Sequence, residues 1–178
     1  MRWIVDGINQ PDLQTSIAVT MSADRTAVAQ YFRHCTLSVR SSPITGVNIS
    51  GDSPGKTDYS FLFDHQQTVT LSAQQGIMIG AKSFQFVMWT LDGAPQPLRE
   101  TDLQITMDTD RVAVAVYRLF GDANGDCRVN VLDLLQTRNR LGQRASTADN
   151  WKADFDQSGK IDVLDLILVR NQMGMKCP

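Results

Sequence analysis

The stretch Asp122-Ala-Asn-Gly-Asp-Cys-Arg-Val-Asn-Val-Leu-Asp133 is echoed 32 residues later by Asp154-Phe-Asp-Gln-Ser-Gly-Lys-Ile-Asp-Val-Leu-Asp165. In both stretches, oxygen-bearing side chains stand at positions 1, 3, 5, 9 and 12, and position 7 can add its backbone carbonyl. This is the ligand spacing of a twelve-residue calcium loop, in which alternate positions of a tight turn direct hard oxygen atoms at one ion. A single stretch of this kind is also typical of an Asp-rich surface turn, but two copies in register favour two calcium loops.

The spacing therefore predicts two Ca²⁺ ions, one in each loop. The candidate ligands, with position 7 contributing its backbone carbonyl, are Asp122, Asn124, Asp126, Arg128, Asn130 and Asp133, and then Asp154, Asp156, Ser158, Lys160, Asp162 and Asp165. Three carboxylates in the first loop and four in the second predict, on charge alone, tighter binding by the second.

The two loops depart from the general calcium-loop pattern at three kinds of position. Position 12 is Asp in both, where the longer Glu is usual, and Ser158 is a poor ligand at position 5. Cys127 stands at position 6 of the first loop, where the sharp turn favours Gly. The apolar residues at position 8, Val129 and Ile161, are predicted to let the two loops pair and to tie them to the core.

The segments around the loops differ from those of a standard EF-hand, which has a helix on each side. Residues 112–117, which precede the first loop, alternate like a strand. Only the exit sides predict helices, over residues 133–141 before Gly142 and residues 165–173 before Gly174.

This loop-then-helix pattern, occurring twice, resembles the dockerin family over about residues 119–178. The resemblance is carried by residues 121–126 (Gly-Asp-Ala-Asn-Gly-Asp), by the Val-Leu-Asp-Leu that opens each helix, and by an Arg-Asn pair before each closing Gly. It implies a non-catalytic module that is held folded by calcium and that binds cohesin modules on scaffold or cell-surface proteins.

The resemblance also implies which residues contact the partner, namely loop positions 10 and 11 and the exit helices. Carried over to this chain, these are Val131, Leu132, Arg138 and Asn139 in the first copy, and Val163, Leu164, Arg170 and Asn171 in the second. Cellulosomal dockerins have a Ser/Thr pair where this chain has Val-Leu, which favours a more apolar contact. Core packing is an equally good interpretation of Leu132 and Leu164. The matching sets predict pseudo-two-fold symmetry and hence binding in either orientation.

The three cysteines contain no Cys-x-x-Cys pair, which excludes a zinc ribbon or a thioredoxin-like motif. The dockerin arrangement brings the two ends of the module together, so the resemblance implies a disulfide between Cys127 and Cys177. Cys35 alternates with apolar residues and is predicted to be a buried free thiol. Neither histidine stands in a nucleophile motif, so no enzyme activity is predicted.

A second repeat occupies the rest of the chain. Residues 3–31 match residues 89–117 without a gap, with 14 identities over 29 positions. Short alternating stretches lie between the copies, separated by Gly, Pro, Asn or Asp. We therefore predict a complete all-β unit, sandwich-like or grasp-like, over residues 33–118, and the back half of a preceding unit over residues 1–32.

The repeat ends in Thr-Met-x-x-Asp-x-x-Val-x-Ala-x-Tyr and resembles bacterial surface repeats of the divergent internalin B-repeat type over about residues 1–117. This resemblance implies that the chain starts in mid-repeat, as the C-terminal piece of a longer secreted protein. The secretion signal is then expected upstream, and the location is extracellular or at the cell surface.

Composition limits the remaining partners. A net charge of −2 in 178 residues, with the signs mixed, argues against nucleic acid, and the apolar runs are too short to span a membrane. We predict a monomer with two domains: an all-β repeat domain followed by a small α domain over residues 119–178 that carries the calcium loops.

The expected function is calcium-dependent docking to a cohesin-like receptor, which attaches a secreted protein (by resemblance, one of polysaccharide degradation) to a scaffold or cell surface, with the β repeats as spacer. The alternative is a calcium-stiffened structural cap on an extracellular stalk, with no cohesin partner.

Overall fold

Two β-sheets pack face to face between residues 34 and 119 in the computed structural model, which describes residues 2–11, 14–31, 33–145 and 149–178. A third, smaller sheet precedes them. The strands are β1 (Arg2–Val5), β2 (Ile8–Asn9), β3 (Ala27–Gln30), β4 (His34–Ser42), β5 (Asn48–Gly51), β6 (Gly55–Lys56), β7 (Tyr59–Asp64), β8 (Thr68–Ala73), β9 (Gly76–Ile79), β10 (Lys82–Leu91), β11 (Ala94–Pro95), β12 (Asp102–Thr106) and β13 (Arg111–Leu119).

The larger sheet has the order β11-β10-β13-β4-β7, and β9 also pairs with β10. Its pairs are antiparallel except for β13 and β4, which run parallel with Arg111 opposite Leu37. Cys35, Leu37 and Val39 alternate toward the core along β4, as the period-two pattern predicts. Cys35 is a buried free thiol, as predicted.

The second sheet has the order β12-β8-β5-β6. Its inward side chains meet those of the larger sheet in one buried cluster, in which Leu71 and Ile105 lie against residues such as Trp89 and Phe84. The indole Nε1 of Trp89 donates to the Thr101 carbonyl at 2.8 Å, so this polar atom is satisfied inside the core.

The two copies of the repeated sequence fold into similar local structures. In the first copy the carboxylate of Asp6 accepts from the Thr26 N–H at 2.9 Å and pairs with Arg25 at 2.6 Å. The second copy repeats this turn, with Asp92 accepting from the Val112 N–H at 2.8 Å and pairing with Arg111 at 2.6 Å. The strands β1, β2 and β3 thus correspond to the end of β10, to β11 and to β13.

One stretch of the repeat folds differently in the two copies. Residues 17–21 alternate like their counterparts in β12, but they are not a strand in the structure. The counterpart β12 is hydrogen-bonded along its whole length to β8. Residues 17–21 pair with none of the described strands, and an alternating segment without a partner leaves its backbone groups to solvent.

The C-terminal third contains two short helices, each of which begins within the last three residues of a loop of the predicted calcium type. Helix α1 spans Val131–Arg138 and helix α2 spans Val163–Asn171, while residues Asn150–Ala153 form a single 3₁₀ turn between them. None of the helices in the described part of the chain is long and apolar enough to cross a membrane.

The predicted fold class, two domains with an all-β domain followed by a small α domain, is wrong. Ala123, Val129, Phe155 and Val169 from the C-terminal third belong to the same buried cluster as the two packed sheets. Helices of eight and nine residues are too short to enclose a core of their own, so the loops bury their apolar residues against the sheets. The protein is a mostly β structure, sandwich-like in its β part, that continues into the loop region.

Candidate functional site

The first loop begins immediately after β13 and is organised around the carboxylate of Asp122, which is only 2% exposed. One of its oxygens accepts from the N–H groups of Gly125 at 2.7 Å and Asp126 at 3.2 Å, and the other accepts from that of Cys127 at 2.9 Å. Gly125 and Cys127 have φ values of 81° and 63°, a conformation that curls the backbone around the carboxylate. Cys127 thus adopts the left-handed conformation that Gly usually supplies.

The second loop has the same backbone turns at the same positions, 4 and 6. Gln157 and Gly159 have φ values of 60° and 83°. The buried Asp154 occupies the place of Asp122, and its carboxylate accepts from the Gly159 N–H at 3.3 Å. The two loops therefore have equivalent local structures, as their register predicts.

Three carboxylates converge in each loop. Single oxygens of Asp122, Asp126 and Asp133 lie within 4.8 Å of one another, and the same holds for Asp154, Asp156 and Asp165. Two ligands of one Ca²⁺ at about 2.3–2.6 Å cannot be more than about 5 Å apart, so these distances fit a common ion. Three carboxylates this close repel one another unless a cation offsets their charge. The residues therefore fit calcium.

The carboxylates at position 12 also connect each loop to its helix. Asp133 accepts from the Ala123 N–H at 2.9 Å and from the Asn130 N–H at 2.8 Å. Asp165 repeats this with Phe155 at 2.6 Å and Asp162 at 2.9 Å. Both carboxylates are fully buried. The Asp side chain is shorter than the usual Glu, and it keeps the carboxylate close to the backbone N–H groups that it binds.

The predicted ligands at position 9 cap the helices. The side-chain oxygens of Asn130 and Asp162 accept from the N–H groups of Leu132 at 2.7 Å and Leu164 at 2.8 Å. Each forms a capping box with the Asp at position 12. Asp162 does not belong to the second cluster of three carboxylates.

The remaining predicted ligands make contacts within their own loops. The Asn124 amide oxygen accepts from the Asp126 N–H at 2.9 Å. The Ser158 hydroxyl donates to the Lys160 carbonyl at 3.0 Å, which joins the side chain at position 5 to the carbonyl at position 7. Arg128, whose carbonyl is at position 7 of the first loop, forms an isolated β-bridge with Lys176.

Val129 and Ile161 are buried at 1% and 0% exposure, as predicted, but they do not pair with each other as the sequence suggested. The Val129 carbonyl accepts from the Gly174 N–H, which follows α2, and the Ile161 carbonyl accepts from the Gly142 N–H, which follows α1, both at 2.8 Å. Each loop is therefore fastened by the segment behind the other loop's helix, which makes the two halves depend on each other.

The disulfide between Cys127 and Cys177 is confirmed. Their Cα atoms lie 5.1 Å apart, and the bridge joins positions separated by 50 residues. The Cys177 N–H also donates to the Cys127 carbonyl at 2.9 Å. The C-terminal end of the chain is thus held at the first loop.

Burial affects the electrostatics of both loops. It raises the pKa of Asp122, against the opposing effect of the N–H groups of Gly125 and Cys127. It also raises the pKa of Asp154, against the opposing effect of the Arg99 guanidinium. The ionised carboxylates are therefore costly to bury, and a bound cation offsets this cost.

Two arginines of the β part contact the loops, and the sequence reasoning missed both. Arg118 lies at the end of β13 with its guanidinium 4.8 Å from the Phe155 ring centre and 5.3 Å from that of Trp151. Its burial lowers its pKa to about 10, still high enough to keep it charged. Arg99 reaches Asp154 from the loop after β11.

All eight residues predicted to contact a partner are exposed. The question left open for Leu132 and Leu164 is decided, because they are 55% and 54% exposed and do not belong to the core. Val131 and Val163 are 63% and 62% exposed beside them. We call these four residues together the docking face.

Four further apolar residues, in the helices or just after them, are on the surface. Leu135, Leu141, Ile167 and Met173 are each more than 40% exposed. Helices of two turns bury only one side, and here the buried positions include the loop carboxylates and Val169. The exposed apolar surface therefore extends from the docking face along both helices. Such a surface is typical of an interaction site.

Comparison with known proteins finds a family similarity in the C-terminal third of the chain. Residues 120–174 match the family model of the dockerin type I domain. Dockerin domains are non-catalytic docking modules that bind calcium and occur in secreted or cell-surface proteins. We call residues 120–174 the dockerin-like segment. The resemblance of residues 1–117 to internalin B-repeats stays a prediction.

Among curated proteins, no match is found. Among solved structures, two mutants of a type II cohesin–X–dockerin complex from Acetivibrio cellulolyticus are similar to this chain. The N-terminal interface mutant has 13% identity and a TM-score of 0.31, covering 80% of this chain and 97% of that chain. The C-terminal interface mutant has 12% identity and a TM-score of 0.30, covering 80% and 96%. We base the functional proposal on the site geometry and on the dockerin-like segment.

Proposed function

We propose that this protein is a calcium-dependent docking protein whose docking face binds a cohesin-like receptor. Two calcium ions hold the loops of the dockerin-like segment, and the segment attaches a secreted chain to a scaffold or cell surface, as a monomer. The β repeats act as the spacer. The observation that carries the proposal is the pair of exposed Val-Leu steps, each of which directly precedes in sequence a buried carboxylate of its cluster.

The position of the docking face links it to calcium. Val131 and Leu132 follow Asn130 and precede Asp133, so two of the predicted calcium ligands flank them. Val163 and Leu164 stand in the same way between Asp162 and Asp165. An ion bound below would fix the first turn of each helix, and with it the direction of the apolar side chains.

Charged side chains on the two helices would supply the polar rim of a protein interface. Arg138 and Arg170 are exposed, and together with Leu134, Leu166 and Ile167 they line a cleft between the two helices. Apolar residues at the centre with arginines beside them are typical of protein interfaces. Both arginines come from equivalent positions of the two copies, which supports binding in either of two orientations.

The test is binding of the full chain to a panel of purified cohesin modules, in calcium and again after chelation. We expect at least one cohesin to bind in calcium and to be released by the chelator. The paired changes Val131→Ser with Leu132→Ser, and Val163→Ser with Leu164→Ser, should each weaken binding only slightly if both orientations are used, whereas all four together should abolish it.

A matched control is available on the β part. Phe61 and Leu62 are also adjacent exposed apolar residues, at 49% and 64% exposure. Changing both to Ser should leave cohesin binding intact. Binding that survives the fourfold change, or that is the same in calcium and chelator, would contradict the proposed docking face.

One observation favours the second candidate, the structural cap. The dockerin-like segment shares a buried core with the sheets, which suits a calcium-stiffened end of a stalk. If calcium stabilises the full chain but no cohesin in the panel binds, and a pull-down from the secreted and envelope fraction of the source is empty, the cap is the better interpretation.

A further inference from the structure

The side chain of Arg99 enters the second loop from the β part. Its Nη2 atom donates to the Asp154 carbonyl at 3.3 Å, to the Asp154 carboxylate oxygen Oδ2 at 3.4 Å and to the Trp151 carbonyl at 3.5 Å. The backbone of Arg99 is fixed by its N–H, which donates to the Val87 carbonyl at 2.7 Å. The guanidinium is thus held against the loop by the sheet.

The two oxygens of Asp154 have different surroundings. Oδ2 accepts from Arg99 and from the Gly159 N–H, whereas Oδ1 is buried and receives no hydrogen bond from any described residue. Asp154 shares its cluster with Asp156 and Asp165. A fully buried oxygen without a donor, on a carboxylate that converges with two others, fits a metal ligand, and Arg99 holds the other oxygen of the same group.

The first loop is arranged differently. Both oxygens of Asp122 accept from N–H groups of its own loop, including those of Gly125 and Cys127. The buried Arg118 lies nearby, but its Nη1 donates to the Lys152 carbonyl and its Nη2 to the Gln85 side chain at 3.4 Å. Within the described residues, the ion pair between an arginine and a position-1 carboxylate is a property of the second loop alone.

We propose that Arg99 is a tethered counter-cation of the second calcium loop, which occupies part of the role of calcium in the ion-free protein and lowers the calcium affinity of that loop. The proposal rests on the proposed calcium binding. The positive charge stabilises the ion-free cluster and repels an incoming Ca²⁺, so both effects act in the same direction. The calcium affinity of the second loop is then lower than its four carboxylates alone would give.

The coupling is reciprocal. If Arg99 weakens calcium binding, bound calcium must weaken the contact between Arg99 and Asp154 by the same free energy. Calcium in the second loop therefore changes how firmly the β part and the loop hold each other. Arg99 lies outside the dockerin-like segment. It thereby sets the calcium concentration at which Val163 and Leu164, the second half of the docking face, become ordered.

The test uses the full chain labelled with ¹⁵N-glycine and titrated with CaCl₂ at fixed ionic strength. The amides of Gly125 and Gly159 report on the first and second loops, because each donates to the position-1 carboxylate of its loop. In Arg99→Gln, the calcium midpoint at Gly159 should fall by roughly three- to tenfold, while that at Gly125 stays unchanged.

Two further variants separate charge from packing. Arg99→Lys keeps the positive charge and should keep the Gly159 midpoint close to that of the unchanged protein. Arg25→Gln removes a different Arg–Asp ion pair, the one between Arg25 and Asp6, which is far from the loops in sequence. This change should move neither midpoint.

A Gly159 midpoint that stays in place or rises in Arg99→Gln, while both glycines still respond to calcium, would overturn the counter-cation and leave the docking proposal standing. If neither glycine responds to calcium in the unchanged protein, calcium binding itself is wrong and this inference fails with it.

Discussion

Asp122 and Asp154 hold equivalent places in the two loops, but different donors surround their carboxylates. Backbone N–H groups satisfy both oxygens of Asp122, whereas Asp154 has one oxygen paired with Arg99 and one without a donor. At the scale of the residue, the neighbouring donors make the two carboxylates different, although both residues are Asp. The exposed members of each cluster, Asp126 and Asp156, contribute charge with few structural contacts and suit substitution.

Changing Asp126 or Asp156 to Ala should each remove one calcium ion, so that isothermal titration gives one site instead of two. The carboxylate removed is one of three that converge, and losing it should weaken its loop by at least roughly tenfold. Asp24→Ala, at an exposed position outside both loops, serves as the control. Two unchanged sites in both loop variants would contradict the predicted ligand sets.

Asp92→Asn should destabilise the protein at pH 7 but not at low pH. Burial raises the pKa of Asp92, but the Val112 N–H and the Arg111 guanidinium together lower it below its usual value of 3.8. A carboxyl whose pKa is lowered in the folded state stabilises that state above pH 3.8, and this contribution is lost as the pH falls from 3.8 through the lower folded pKa.

Urea midpoints of the unchanged protein and of Asp92→Asn, measured between pH 7 and pH 2, test this expectation. The two midpoints should converge at the acid end. A constant difference across the whole range would show that the ionised carboxylate is not what stabilises the turn.

At the scale of the element, each helix begins inside its loop. The Asp at position 12 is at once a cluster member and the N3 residue of a capping box, so the loop and the first helical turn form one unit. The segments after the helices then cross over, with Gly174 donating to Val129 and Gly142 to Ile161. Helices of this length are marginal alone, and these attachments stabilise them.

Cys177→Ser should lower the free energy of unfolding by about 4 kcal/mol, because the disulfide restricts the unfolded chain over a loop of 50 residues. Urea unfolding in excess calcium measures the loss. Reducing agent should destabilise the unchanged protein to the same extent and have no further effect on Cys177→Ser. A loss below about 1 kcal/mol would mean that the disulfide restricts the unfolded chain very little.

At the scale of the whole molecule, the β part and the dockerin-like segment are packed against each other. Phe155 of the second loop contacts Phe120 with ring centres 5.5 Å apart, and Gln85 of β10 donates to the Phe155 carbonyl at 3.0 Å. Arg118 stacks on Phe155 from the end of β13. A contact shared between sheet and loop makes the stability of one depend on the other.

Chelating calcium should therefore lower the melting temperature of the main transition, in which the packed sheets and the loops unfold together. Ligand that binds only the folded state stabilises it by an amount that grows with the logarithm of its concentration, and the shared core transmits this to the sheets. Differential scanning calorimetry in calcium and in chelator measures the shift. A main transition that does not move, beside a separate small one that does, would contradict the continuous core.

The amino-acid sequence by itself determined the features that depend on short range. The carboxylate clusters arise within twelve residues, so their spacing alone predicted two loops, the helices behind them and the buried Val129 and Ile161. The repeat of residues 3–31 in residues 89–117 was likewise evident from the sequence alone. The disulfide between Cys127 and Cys177 was expected only because these loops resemble those of the dockerin family.

Only the tertiary structure decided what depends on contacts between distant segments. Arg99 and Asp154 are 55 residues apart in sequence, and no local pattern shows that they meet. The exposure of Leu132 and Leu164 likewise depends on which side of each short helix the sheets cover. The single core was missed for the same reason: periodicity shows which residues seek burial, whereas packing decides which partner buries them.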